Sequence, residues 1–257
     1  MKKHLLSLAT ATFLGLSGAA ASAAPALLDF TVDEGSVPGA APNVLVADKL
    51  NGGYNEILTI NPDSSFNTQA YANIGQFFGN DGADTIGSQL GSGIGAPNQY
   101  RMYALFSSAG TFAGGTFTGT SGSFDLYIDA DSNTTLGLGA DGVSPITVGN
   151  NADDYRIAFT TSLTSAIGIV GNPGAFDLFF SDFQLTADGM NYFTSPDPFY
   201  LLVNVDGDFD NFNPVPGQSF NVVGDVSAVF AVPEPGSLAL VGLALAGLGL
   251  SARRRNG

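Results

Sequence analysis

The sequence predicts an all-β protein, a single antiparallel β-sandwich or jelly-roll-like domain flanked by an N-terminal signal peptide and a C-terminal apolar helix. Three observations carry that expectation. Apolar residues recur with the two-residue period of strands from Leu28 to Phe230, clusters of Gly, Asn, Asp and Pro interrupt these runs, and no long stripe at helical spacing lies between them. With 34 Gly, 20 Phe and only 12% charged residues among 257, the chain is turn-rich and too apolar to stay unfolded. One domain is the simplest arrangement for this length, and no repeat of fixed period points to a solenoid or propeller.

The chain opens with positive charge at Lys2 and Lys3, continues through a mostly apolar stretch from Leu5 to Leu16, and reaches the small residues Ala21-Ser22-Ala23 that a signal peptidase accepts. Residues 1–23 therefore read as a secretory signal peptide. The body spans 24–231. In it, Phe124, Leu126 and Ile128 alternate with Asp125, Tyr127 and Asp129, and Tyr155, Ile157 and Phe159 alternate with Arg156, Ala158 and Thr160, so that each set points to one face. Further strand candidates are Glu56–Ile60, Ala70–Ile74, Tyr100–Phe106, Gly114–Thr120, Phe176–Phe183, Phe199–Val205 and Asp225–Phe230. Phe-rich inner faces supply the core, each buried ring contributing about 2–3 kcal/mol. The glycine-rich loop Gly87–Gly95 lacks both the Lys of a P-loop and the strand-turn-helix setting of a dinucleotide site.

At the far end, Val232-Pro233-Glu234-Pro235-Gly236 breaks regular structure, because neither proline donates a backbone hydrogen bond. Residues 237–252 are then predicted as an apolar helix, followed at once by Arg253, Arg254 and Arg255, so that 232–257 forms a separate C-terminal segment. As a helix the apolar run rises roughly 20–24 Å, short of the roughly 30 Å hydrocarbon core, which makes it a poor permanent anchor. The arginines belong on the cytoplasmic side by the positive-inside rule, leaving the body outside. The signal peptide requires the same sidedness.

Charge and composition exclude several function classes. Between the termini only Lys49, Arg101 and Arg156 stand against 22 acids, a net of −19 that repels nucleic acid and anionic lipid and serves either to attract divalent cations or to keep the body soluble by mutual repulsion. Cysteine is absent and the single histidine, His4, lies in the signal peptide. The mature chain thus lacks the ligands of most zinc, copper and haem sites and the usual base of a Ser-His-Asp or Cys-His nucleophile.

The candidate ligand sets are oxygen-rich. Asp206, Asp208 and Asp210 alternate just beyond a strand expected to end at Val205, and hard carboxylate oxygens suit calcium. The run is not an EF-hand, since Asn211 and Gly217 stand where that loop requires Gly and Glu. Asp129, Asp131 and Asn133 form a second, weaker calcium candidate, whereas Asp81, Asp84, Asp153 and Asp154 read as turn or surface acids. Tyr54, Tyr100, Tyr103, Tyr192 and Tyr200 are candidate sugar-stacking rings. A glycosidase needs a pair of carboxylates, and Glu34 and Glu56 are the only body glutamates.

The ordered series Pro-Glu-Pro, short apolar helix and arginine cluster over Val232–Arg255 resembles the PEP-CTERM sorting domain. The resemblance implies that an exosortase-type membrane enzyme recognises Val232, Pro233, Glu234 and Pro235 and removes the helix, leaving the protein transiently at the inner membrane and then on the outer surface or in the matrix of a Gram-negative cell. Within the body, Phe30–Gly39, Leu50–Tyr54, Asn172–Phe180 and Val203–Asp210 resemble flocculation-associated PEP-CTERM proteins. That likeness implies a non-catalytic role in exopolysaccharide-dependent cell aggregation, as floc or biofilm. The alternative is a secreted carbohydrate-active enzyme or polysaccharide-binding module. Expected partners are signal peptidase, the exosortase-type enzyme and exopolysaccharide or other matrix components, with calcium as the one candidate cofactor and no nucleic acid.

Overall fold

The computed structural model describes residues 26–91, 99–139, 142–210 and 212–232. The expected signal peptide, Pro233 to Arg255 and part of the Gly87–Gly95 loop lie outside the described residues. The strands are β1 (Phe30–Asp33), β2 (Val44–Ala47), β3 (Lys49–Ile60), β4 (Ser65–Gly79), β5 (Asp84–Ile86), β6 (Arg101–Ala113), β7 (Thr116–Asp129), β8 (Thr135–Gly137), β9 (Thr147–Gly149), β10 (Tyr155–Thr160), β11 (Ser162–Ile169), β12 (Gly174–Ser181), β13 (Gln184–Leu185), β14 (Phe193–Ser195), β15 (Leu202–Phe209) and β16 (Gln218–Ala231). A 3-10 turn, Glu34–Ser36, and one short helix, α1 (Ala187–Tyr192), complete them.

The all-β expectation holds, but the sandwich or jelly roll does not: the main sheet closes on itself as an eight-stranded barrel with extra strands. Its path runs β3-β4-β6-β7-β11-β12-β15-β16 and returns to β3, and every pairing around it is antiparallel. Spatial neighbours are therefore sequence neighbours, an up-and-down arrangement. Closure is made by β11 against the start of β7, where Ile167, Gly168 and Ile169 pair with Thr118, Phe117 and Thr116. A sandwich would leave both strands with unpaired edges, and closure removes those edges.

Local chemistry explains how β7 bends far enough to serve both β10 and β11. Its C-terminal half pairs with β10 and its N-terminal end with β11. Between them lie Gly119, where a Cβ would stand 2.5 Å from the Ala166 Cβ, and Gly122, where one would stand 2.6 Å from the Ser107 carbonyl oxygen. Any side chain at either position would push the strands apart. Sequence reasoning treated this glycine-containing stretch as a break between two strands; it is one strand bent around the barrel.

Alternation assigns the faces. Leu58, Ile60, Phe66, Phe124, Leu126 and Phe180 point into the lumen and are at most 5% exposed. Outside, Asn67, Gln69, Ser123, Asp125, Asn204 and Asp206 alternate with the buried positions, so the outer wall is polar. One end of the barrel is covered by the small sheet β14-β1-β2 with α1, through which Phe30 meets the rings of Phe77, Phe193 and Phe230 at 5.1–6.4 Å. The other end holds a second aromatic group, with Phe212 of the β15–β16 connection against Phe117, Phe209 and Phe220.

Candidate functional site

Two acidic groups and the partly buried Glu56 stand out. The first gathers where β7 ends. Asp129 is fully buried and accepts hydrogen bonds from the backbone N–H groups of Asn133 and Thr134, each at 3.0 Å, so the Asp-rich turn folds back onto its own first carboxylate. Arg101 from β6 lies 3.6 Å from the same carboxylate and also donates to the Thr134 carbonyl and to Asn73 Oδ1, both at 2.7 Å. Asp153 and Asp154, on the approach to β10, complete the group: the carboxylates of Asp129, Asp153 and Asp154 offer oxygens all within 4.8 Å of one another.

The remaining partners hold these acids still. Tyr103 Oη and Thr134 Oγ1 donate to Asp154 at 2.7 and 2.8 Å, and Asn133 Nδ2 donates to Asp153 at 3.2 Å. Burial raises the Asp154 carboxyl above its ordinary range, with the neighbouring Asp129 and Asp153 charges adding to it. Asn133 Oδ1 is buried without a hydrogen-bond partner. Carboxylate and amide oxygens in this arrangement are the donor chemistry of a calcium site.

Sequence reasoning selected Asp129, Asp131 and Asn133. The structure brings Asp129 and Asn133 together but leaves the Asp131 side chain exposed, its backbone N–H donating to Asp153 at 3.2 Å. Asp153 and Asp154, read as surface acids, are the members that were missed. Nothing in the local sequence marks them, because only the pairing of β7 with β10 delivers them to Asp129.

The second acidic group differs from its expected form. β15 does not end at Val205 but runs to Phe209, so Asp206 and Asp208 lie on a paired strand and Asp210 just past its end. Among the described residues the acids gathered closely enough to hold one ion are Asp129, Asp153 and Asp154, and Asp206, Asp208 and Asp210 are not among them. These acids instead line the outer wall. Asp208 accepts from the Asp225 N–H at 3.0 Å, and Asp206 pairs in register with Asp177. Burial, then the Asp177 charge, raises the Asp206 carboxyl, while Lys49 opposes the shift. Asp208, Asp210 and Asp225 join Asn51, Asn55, Asn73 and Gln76 around an open cleft of about 760 Å³.

The tyrosines do not form a sugar platform. Tyr54, Tyr100, Tyr103 and Tyr192 are at most 3% exposed, and only Tyr200 of the five candidates keeps substantial surface. Tyr100 and Tyr192 instead hydrogen-bond to each other beside the buried Glu34.

Glu56 was legible but not singled out. It occupies the inward series Tyr54, Glu56, Leu58, Ile60 of β3, and an acid among apolar alternates is the signal that marks it. Burial raises its carboxyl to about 7, with the Thr68 hydroxyl acting in the opposite direction. A carboxyl whose folded pKa lies above its unfolded value stabilises fully below the unfolded pKa, and that contribution is lost as pH rises through the folded one. Relative to Glu56→Gln, wild type is therefore expected to lose about 2–3 kcal/mol between pH 4.5 and 8 in urea unfolding. A parallel course for the two proteins would contradict it.

Among the described residues no helix is long and apolar enough to cross a membrane. Val232, the first residue of the expected sorting signal, is exposed just beyond the end of β16; Pro233, Glu234, Pro235 and Arg253 to Arg255 lie outside the described residues, as does the apolar helix expected over 237–252. The last barrel strand ends at Ala231, so a cut beyond it removes no wall of the barrel. No curated protein and no solved structure matches the chain. One family model does match, that of the PEP-CTERM protein-sorting motif, over residues 231–255. Residues 231–255 thus carry a PEP-CTERM protein-sorting motif, which indicates a protein sorted by an exosortase-type enzyme to the cell surface.

Proposed function

We propose that the barrel acts without catalysis in exopolysaccharide-dependent cell aggregation, as a floc or biofilm component on the outer surface or in the matrix of a Gram-negative cell, after transient anchoring in the inner membrane by its tail. The supporting observation is the open polar cleft on the outer wall, lined by Asn51, Asn55, Asn73 and Gln76 together with Asp208, Asp210 and Asp225. Amides and carboxylates donate to and accept from sugar hydroxyls, and an open cleft admits a continuous chain without requiring an end. The likeness of Phe30–Gly39 and Val203–Asp210 to flocculation-associated proteins supports the same reading.

Calcium fits this role in two ways. It neutralises a body that carries three basic residues against 22 acids, and the oxygens of Asp129, Asn133, Asp153 and Asp154 are suited to hold it. Calcium is expected to speed the sedimentation of producing cells and chelator to reverse it; identical sedimentation under both conditions removes the cation from the mechanism.

The direct test incubates purified protein with the producer's own polysaccharide. Retention of protein on polymer with no new reducing ends is expected. New reducing ends would instead establish the alternative, a secreted carbohydrate-active enzyme, and loss of the gene without loss of aggregation would end the matrix role.

A further inference from the structure

Eight strands enclose a lumen that side chains nearly fill, and the space left over is not randomly placed. It lies toward the end covered by Phe212, as a cavity of about 60 Å³ lined by Phe66, Phe106, Phe117, Phe176 and Phe209 together with Glu56. A water molecule needs roughly 10–15 Å³ of such space, so the cavity takes on the order of four or five non-hydrogen atoms. Ile167, 50% exposed, is the lining residue most open to solvent and marks its mouth.

Polar groups converge on this aromatic box from three strands. Glu56 comes from β3, Thr68 from β4 and Ser108 from β6, with the two hydroxyls 3.2 Å apart. Glu56 lies deep in the protein yet keeps accessible surface, and it lines the cavity. No Lys or Arg lines the cavity, and the ion pairs among the described residues, Arg101–Asp129 and Arg156–Asp125, involve other acids. One inward position before Glu56, Tyr54 is 2% exposed and buries a hydroxyl that has no hydrogen-bond partner. Its ring packs on Phe106 and Phe176, two of the rings that form the cavity wall, at 5.9 and 5.2 Å.

We propose that the lumen is a binding site for a small primary alkylammonium ion, its short apolar chain among the phenylalanine rings and its charge against Glu56. A carboxylate enclosed without a counter-charge is costly, and an ammonium supplies that charge. The surrounding ring faces attract the same cation. A primary ammonium carries three N–H donors, and Glu56 with the hydroxyl oxygens of Thr68 and Ser108 offers acceptors for them. A neutral alcohol of equal size satisfies the packing but not the charge, so charge is the discriminating feature.

Binding follows the ionisation of Glu56. The groups next to it are Tyr54 and Leu58 along β3, Ala70 and Thr68 from β4, Ser108 from β6 and Val222 from β16, and of these only Tyr54 is ionisable, its hydroxyl pushed far above its ordinary value by burial and the Glu56 charge. Glu56 is raised to about 7, so the ammonium binds more tightly at pH 8 than at pH 5.5, while an alkylamine stays protonated at both.

The test is calorimetric titration of the purified full chain with n-butylamine hydrochloride and with 1-butanol, at 0.15 M salt and at both pH values. Saturable one-to-one binding of the amine, about 10-fold tighter than the alcohol at pH 8 and with that preference lost at pH 5.5, is expected from a charge-assisted contact. Glu56→Gln is expected to bind amine and alcohol alike while keeping the wild-type circular dichroism spectrum. The proposal is overturned if wild type shows no saturable amine binding, if amine and alcohol bind equally at pH 8, or if the amine preference survives in Glu56→Gln, which would assign it to the acidic outer wall. Should Glu56→Gln not fold, the amine–alcohol comparison in wild type still decides between these outcomes.

Discussion

Replacing Glu34 with alanine is expected to lower the free energy of unfolding by about 3–5 kcal/mol, read from urea denaturation of the purified protein. Glu34 has no exposed surface and sits in the 3-10 turn after β1. Its carboxylate accepts hydrogen bonds from Tyr100 Oη at 2.9 Å, Asn43 Nδ2 at 2.5 Å, the Gln89 N–H at 2.8 Å and Gln89 Nε2 at 3.4 Å. Removing the acceptor strands the buried Tyr100 hydroxyl and the partly buried Asn43 and Gln89 donors at once, and the layer that covers one end of the barrel loses its tie to the Tyr100–Tyr192 pair. Glu34→Gln, which keeps one oxygen acceptor, is expected to lose less. If alanine costs under about 1 kcal/mol, the network contributes little to holding this layer in place.

Asp129→Ala is expected to cost about 2–4 kcal/mol in the same measurement. Two effects oppose each other. The substitution leaves the Asn133 and Thr134 N–H groups without their acceptor and deprives Arg101, 8% exposed, of its carboxylate neighbour. It also relieves repulsion among three carboxylates whose oxygens lie within 4.8 Å. Stranded buried donors and a partly unpaired guanidinium outweigh that relief, because Arg101 keeps only the neutral acceptors Thr134 O and Asn73 Oδ1. Asp129→Ala is also expected to abolish any rise in unfolding temperature that calcium gives the wild type. A rise of equal size in the variant would place the ion elsewhere.

Strand content was legible in the sequence, but strand length was not. The sequence marks only Ala70–Ile74 within β4, and two separate candidates, Gly114–Thr120 and Phe124–Asp129, within β7, because Gly75 and Gly122 fall where the alternation breaks and in isolation a glycine in a strand marks a weak point or a bulge. In the structure β7 is 14 residues long, and its glycines sit where Ala166 and the Ser107 carbonyl oxygen approach too closely for a Cβ. The meaning of those glycines resides in the neighbouring strands, β11 for Gly119 and β6 for Gly122. The calcium candidates divide on the same ground. Asp129 and Asn133 are drawn together by one local turn and could be found from their spacing, whereas Asp153 and Asp154 reach them only through strand pairing.

The sequence by itself determined the C-terminal sorting motif, the acidity of the body and its strand content, because a motif, charge and two-residue alternation are local properties of the chain. Only the tertiary structure decided that the sheet closes, which acids meet, and that Glu56 faces a cavity rather than a packed neighbour. Alternation specifies which side chains leave water but not what they are buried against, and a sandwich and a barrel demand the same pattern. The pairing of Ile167–Ile169 with Thr116–Thr118 chooses between them, and that pairing joins segments whose complementarity exists only once the sheet has curled.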